Sequence, residues 1–345
     1  MARTTIEDVA RLAGVSTATV SRVLSGSASV SPETRSRVNA AASELGYRVN
    51  AAARALRRDR TSTVGIVVPE LANPFFTALV EQLEQQVQGL GLSLHLSSSR
   101  NDPVLETERV RSFLAARVEV LIITPCHVEL SAPVLDEARA HVPVIQLDQF
   151  ADGVETDWVG VAEDIGMRLV MEHLAAQGVK RVSYVGAHPS DSSSRARHQV
   201  ARQTARELGM ELPDDRVLLG TFSAEWGRRA ASQTVGRKLP QAVACGADVV
   251  ALGILEGFDA LGIRVPDDVL VTGFDDIPLS SHPRLSITTV RQPIDEIAQA
   301  AAAMVGDIVN RGADHTAQRI ALPPELVVRD SSRRRLAQNP PSRGI

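Results

Sequence analysis

Residues 5–24, TIEDVARLAGVSTATVSRVL, are the stretch on which the fold turns. Ile6, Val9, Ala10 and Ala13 recur at helical spacing, Thr5 is placed to cap the N-terminus, and Glu7 and Asp8 fill the first turn. Gly14 supplies a position that tolerates positive φ and ends the helix. Val15 plugs the corner, and Ser16 caps a second helix that buries Val20, Val23 and Leu24. Two short helices joined by a glycine turn of this length predict a helix-turn-helix. The outer face of the second helix then carries Thr17, Ala18, Ser21 and Arg22. Short side chains near its N-terminus let the backbone approach DNA, and one arginine can reach a guanine edge or a phosphate. A third helix is predicted from Ser31 as cap and Pro32 in the first turn to about Leu45. A small helical bundle or a protein–protein head is the alternative these residues alone leave open.

Charge points the same way. Residues 1–60 hold ten arginines against five acids, whereas residues 61–330 hold 23 basic against 36 acidic residues. A basic head on an acidic body suits a polyanion at one end only. At 345 residues, with 44% apolar and 23% charged residues, the chain is an ordinary globular sequence long enough for two or three domains. No apolar run approaches the roughly 18–20 residues of a membrane span. Charge in the first fourteen residues argues against an export signal, and the two cysteines, Cys126 and Cys245, form no disulfide framework. The chain reads as a cytoplasmic protein with no membrane partner.

Residues 5–61 resemble the DNA-binding head of the lactose-repressor (LacI/GalR) family of bacterial transcription regulators. The matching segments are TIEDVARLAGVSTATVSRVL, VSPETRSRVNAAASELGY and NAAARALRRDRT. The last is similar to the family's hinge, which the resemblance implies is disordered when free and helical on operator DNA. By the same match, Leu56 wedges into the minor groove at a central base step, where unstacking costs about a few kcal/mol and gains a bent site. Asn50, Arg54 and Arg57 complete the DNA-binding set with Thr5, Ser16, Thr17, Ala18, Ser21 and Arg22. Val49 departs from the proline usual in the family at that position.

Beyond Thr61 the pattern changes. Strand-like apolar runs lie near 64–68, 92–96, 119–124, 142–147, 181–186, 216–221, 241–245 and 269–274. Helical patterns lie near 75–90, 105–117, 161–177, 194–208, 223–237 and 249–261. Such alternation predicts mostly parallel sheets with helices on both faces, and 270 residues exceed one comfortable core. The body resembles the family's ligand-sensing core, which is similar to periplasmic sugar-binding proteins. The expected fold is an all-α helix-turn-helix head plus an α/β, two-lobed, periplasmic-binding-protein-like core. Its divisions are a head at 1–48, a hinge at 49–61, an effector-binding and dimerisation domain at 62–331, and a disordered tail at 332–345.

Ligands of open α/β sheets bind outside the carboxyl ends of strands. The polar and aromatic residues found there are Asn73, Phe75, Phe76, Asp148, Arg197, Phe222 and Asp275. Asn, Asp and Arg can hold hydroxyls in pairs, and a phenyl face packs on a sugar ring or a base. Each has a plain structural alternative: a turn at Asn73, caps at Asp148 and Asp275, core at Phe75 and Phe76, a surface ion pair at Arg197. Ala247, Val200 and Trp158 depart from residues common in relatives, so the pocket is remodelled. No phosphate loop, nucleophile elbow or metal-ligand spacing is present, and Glu172-His173 falls on a surface pattern. The sequence therefore predicts a repressor without catalytic residues, cofactor or metal, a homodimer on a near-palindromic operator controlled by a small polar effector. A regulator controlled by a protein partner, or constitutive with a vestigial cleft, is the alternative. An enzyme with a DNA-binding appendage is the third.

Overall fold

The computed structural model describes residues 4–24, 30–47, 61–236, 238–311 and 315–334. Asn50, Arg54, Leu56 and Arg57 lie outside them. The chain divides into two compact units, Met1–Thr61 and Ser62–Ile345.

In the first unit, α1 (Ile6–Ala13) starts on a reciprocal cap. The Asp8 amide donates to Thr5 Oγ1 at 3.3 Å and the Thr5 amide donates to Asp8 Oδ2 at 3.0 Å. Gly14 ends it with φ of 64°, in the left-handed region that favours glycine. The helix α2 (Thr17–Leu24) begins at Ser16, whose Oγ accepts the Thr19 amide, and α3 (Pro32–Glu44) begins at Ser31. Val9, Ala10, Ala13, Val20, Val23, Val38, Ala41 and Ala42 form the small core. Arg37 ties α3 to the turn by donating to the Ala13 carbonyl at 2.8 Å.

Among the described residues of the second unit, two parallel sheets form two lobes. The first runs β11-β5-β4-β3-β1-β2, from β1 (Thr63–Val68), β2 (Ser93–Ser98), β3 (Val120–Ile123), β4 (Val144–Leu147), β5 (Asp157–Val161) and β11 (Arg319–Leu322). Helices α4 (Pro74–Gly89), α5 (Pro103–Ala115), α6 (Ala132–Arg139) and α11 (Ile294–Arg311) belong to this lobe. The second sheet runs β7-β6-β8-β9, from β6 (Val182–Ala187), β7 (Val217–Gly220), β8 (Ala242–Cys245) and β9 (Leu270–Thr272). It carries α7 (Glu163–Ala176), α8 (Ser192–Glu207), α9 (Ala224–Val235) and α10 (Asp248–Ala260). An antiparallel ribbon pairs β10 (Thr289–Arg291) with β12 (Glu325–Val327).

The chain crosses between lobes before α7, between β10 and α11, and between β11 and β12. In both lobes the carboxyl ends of parallel strands lead into loops that converge on the cleft. Two expectations need correction. The tail does not begin at Ser332, which is fully buried and hydrogen-bonds Thr288 Oγ1 at 2.6 Å. His173 is not a surface residue; it is half-buried, with Nε2 2.7 Å from Ser332 Oγ. The last turn of the body thus closes over α7.

Candidate effector cleft and nucleic-acid-facing helix

The first wall of the cleft comes from the start of α4. Asn73 caps the helix, its Oδ1 accepting the Phe75 amide at 3.1 Å. That cap turns Phe75 and Phe76 inward, edge to face with centroids 5.2 Å apart. Both are buried in the body's core and both line the cleft, so the structural and the binding roles coincide.

Two aspartates follow strand ends in backbone conformations that L-residues rarely adopt. Asp148, after β4, has φ of 62°, and Asp275, after β9, has φ of 114°. Each costs about 1–3 kcal/mol and persists only where its surroundings fix it. Here they do: the Asp148 amide donates to the Val159 carbonyl and the Asp275 amide to the Val290 carbonyl, each at 2.8 Å. Trp158 Nε1 also donates to the Asp148 carbonyl at 3.2 Å. The effect is to aim two buried carboxyls into one space.

Arg197 projects from α8 and is 3% exposed. Its Nε and Nη2 donate to the two oxygens of Glu163 at 2.6 and 2.9 Å, and Nη1 donates to the Gly246 carbonyl at 2.9 Å. Nη1 also lies 3.5 Å from Asp275 Oδ1, and the guanidinium stacks 3.7 Å from the Phe274 ring. Arg197 is therefore the hub of a buried ion cluster as well as a cleft wall.

The cleft is lined by all seven residues marked in the sequence: Asn73, Phe75, Phe76, Asp148, Arg197, Phe222 and Asp275. Gln149, Ser193, Ala247 and Gln292 join them around a small cavity of about 20 Å³. Of these, Gln149 adjoins Asp148 and could have been found from the strand end. Gln292 follows β10, a strand too short to read from pattern. One edge of the cleft is bonded across the lobes. Val128 N donates to Ser190 O at 2.8 Å, Phe150 N to Ser192 Oγ at 3.0 Å, and Arg195 grips Asp152 in bidentate fashion at 2.7 and 2.8 Å.

Burial pushes the Asp275 carboxyl up to about 6 against the pull of Arg197, and pushes Asp148 up as well, with Glu163 adding repulsion. Behind them, burial raises Asp248 to about 8, although Ile277 N, Ser280 Oγ and Thr289 Oγ1 all donate to it. These groups hold their protons more tightly folded than unfolded. Their contribution to stability is full below about pH 4 and is lost as pH rises through 6 for Asp275 and 8 for Asp248. The slope is about 1.4 kcal/mol per pH unit for each group still titrating. The thermal midpoint should therefore fall between about pH 5 and 8.5, with the upper part of the fall flattened in Asp248→Asn; a midpoint that rises across that range would contradict this.

In the head, Ser16, Thr17, Ala18 and Arg22 are exposed and Ser21 is half-buried, so α2 presents one outward face. Thr5 is exposed and already occupied in capping α1.

Residues 5–50 match the family of bacterial regulatory proteins, lacI family, and residues 171–332 match a periplasmic binding protein-like domain. The chain is 32% identical to the HTH-type transcriptional regulator DegA of Bacillus subtilis, over 96% of this chain and 98% of that protein. It is 30% identical to the ribose operon repressor of Escherichia coli, over 95% and 99%. The crystal structure of the Lac repressor dimer bound to operator and the anti-inducer ONPF superposes with a TM-score of 0.85, at 28% identity, covering 96% of this chain and 99% of that one. A capped helix-turn-helix ahead of a two-lobed core, with relatives matched along nearly their whole length, has one explanation: the chain belongs to the lacI family of bacterial regulatory proteins and is a DNA-binding transcriptional regulator.

Proposed function

We propose that the protein represses transcription as a homodimer on a near-palindromic operator, and that a small polar effector held in the cleft sets its affinity for that operator. A sugar or sugar derivative, or a nucleoside, is the class of effector. The observation that carries this reading is the convergence of seven residues, spread from Asn73 to Asp275 and drawn from both lobes, on one cleft. A ligand touching both lobes binds one lobe arrangement better than another, and only that difference can drive a response. Two α2 helices, one from each protomer, would read two half-sites, and the mirror symmetry of the site follows from the protein's two-fold axis. Asn50, Arg54, Leu56 and Arg57 would join at the centre. The cleft groups are suited to hold and orient a ligand, as a binding protein requires. No helix among the described residues is long and apolar enough to cross a membrane, in keeping with action on nucleoid DNA in the cytoplasm.

The test is a thermal-shift screen of the full chain against sugars, nucleosides and sugar phosphates, followed by operator gel shifts with each hit. A true effector at about 100 times its Kd stabilises the body by about 2.7 kcal/mol and changes operator affinity in the same titration. Ligands that stabilise the body without altering DNA binding would defeat the regulatory reading. Substrate turnover would revive the enzymatic one.

A further inference from the structure

The polarity of the cleft is one-sided. Its charged donor and the Gln292 amide are already turned onto the protein. Arg197 directs Nε and Nη2 to Glu163 and Nη1 to the Gly246 carbonyl. Gln292 Nε2 donates to Asp275 Oδ1 at 2.9 Å, and the Asn73 side chain helps lower the same carboxyl's pKa. The acceptors are the groups left over. Asp148 Oδ1, Gln149 Oε1 and Gln292 Oε1 have no hydrogen-bond partner among the described residues, nor has the Ser193 hydroxyl, which can accept or donate, and these side chains are at least nine-tenths buried in the cleft lining. An ionised carboxylate only accepts, so Asp275 fixes the orientation of the Gln292 amide and leaves its oxygen as the free end. A buried acceptor without a partner is costly, and a donor-bearing ligand would satisfy it.

Charge leans the same way. Asp148, Asp275 and Glu163 crowd a single guanidinium, with the buried Asp191 next to them. A further anion would enter an acidic, poorly solvated space with no cation free to meet it, whereas a cation would be stabilised there. Burial first, and the neighbouring Glu163 after it, raises both Asp148 and Asp275. The phenyl rings of Phe75, Phe76 and Phe222 line the cleft and suit either a ring face or an ammonium.

We infer that the cleft selects a protonated, amine-bearing ligand of sugar or cyclitol size, and discriminates against phosphorylated and carboxylated ones. This rests on the reading of the cleft as the effector site, and narrows it to one chemistry. The ammonium binds between Asp148 and Asp275, and hydroxyl donors of the same ligand meet the glutamine oxygens.

The experiment is calorimetric titration of the full chain at pH 7.5 with matched trios: glucosamine, glucose and glucose 6-phosphate; galactosamine, galactose and galactose 6-phosphate; an inosamine, its parent inositol and the inositol phosphate. In at least one trio the amine should bind ten-fold or more tighter than its parent, and the phosphate should give no measurable heat. Asp148→Asn keeps the shape and removes the charge, so it should bring amine and parent to within about three-fold while the variant's thermal midpoint, read alongside, is not lowered. Parents or phosphates that bind as tightly as the amines would overturn the inference and leave the effector cleft standing. Amines that fail to bind in all three trios overturn it as well. Silence from these compounds and from the wider screen together would remove the effector reading itself.

Discussion

Arg197→Ala should destabilise the protein by about 3–5 kcal/mol, the usual cost of breaking a buried ion pair from one side. The guanidinium neutralises Glu163, satisfies the Gly246 carbonyl, stands 3.5 Å from Asp275 and covers the Phe274 ring. Its loss leaves two carboxylates and a carbonyl facing an empty, poorly solvated space. Urea unfolding of the full chain would read the change as a lower midpoint with little change in slope. Lysine should recover only part of the loss, because a single ammonium cannot reproduce the bidentate grip on Glu163. A midpoint unchanged within about 0.5 kcal/mol would show that Arg197 serves the ligand alone. The consequence for mutagenesis is direct. Loss of effector response in Arg197→Ala would report a damaged lobe, so Asp148→Asn is the cleaner probe of ligand contact.

Arg22→Glu should have the opposite profile. Arg22 lies on the exposed face of α2 next to Ser21, with Thr17 and Ala18 one turn earlier. A bidentate arginine on a base is worth about 1–3 kcal/mol of discrimination, and a carboxylate in its place adds repulsion from the phosphates. Operator affinity should fall by roughly 3 kcal/mol, or more than a hundredfold, at fixed salt. Stability should stay within about 0.5 kcal/mol, as for most surface substitutions. Gel shifts with operator and with unrelated DNA decide between outcomes. An equal loss on both would make Arg22 a phosphate contact, and no loss on either would place the DNA-reading face elsewhere.

Local signals explain what could be read before the structure. Thr5, Gly14, Ser16 and Ser31 each announce a helix end by a hydrogen bond or a backbone conformation confined to a few neighbours, so the three-helix head was legible in full. The run from Val64 to Val68 is buried on both faces and betrays itself by its composition. The strand β5 was not seen, because its first residue is an aspartate. Asp157 is buried only because His315 reaches it at 2.7 Å and the Gln318 amide donates to it at 2.8 Å, from far along the chain. Likewise β10, β11 and β12 are three or four residues long and exist through pairing with distant strands. The helix α11 hides its period in a run of alanines, which carry little contrast between faces.

The site divides along the same line. Position after a strand was enough to mark Asn73, Asp148 and Asp275. Nothing local distinguishes Gln292, whose strand was itself unread, and the run Ser192-Ser193-Ser194 gives no hint that Ser193 alone faces the cleft. For Arg197 the sequence located the residue but not its main partner. Glu163 opens the helix after a crossover and meets Arg197 only once α7 and α8 pack together in the second lobe.

Trp158 has a use unconnected with repression. The chain has two tryptophans, and they belong to different lobes. Trp226, on α9, is tethered to the Gly186 carbonyl, whereas the Trp158 indole is bonded to the backbone of Asp148 and packed edge-on against Phe150. Any shift of the loop from Asp148 to Asp152 changes the dipoles around that ring, and so the colour and yield of its emission. The molecule therefore carries its own optical gauge of the cleft, and Trp226→Phe would leave a single emitter with which occupancy can be timed in stopped flow without a dye.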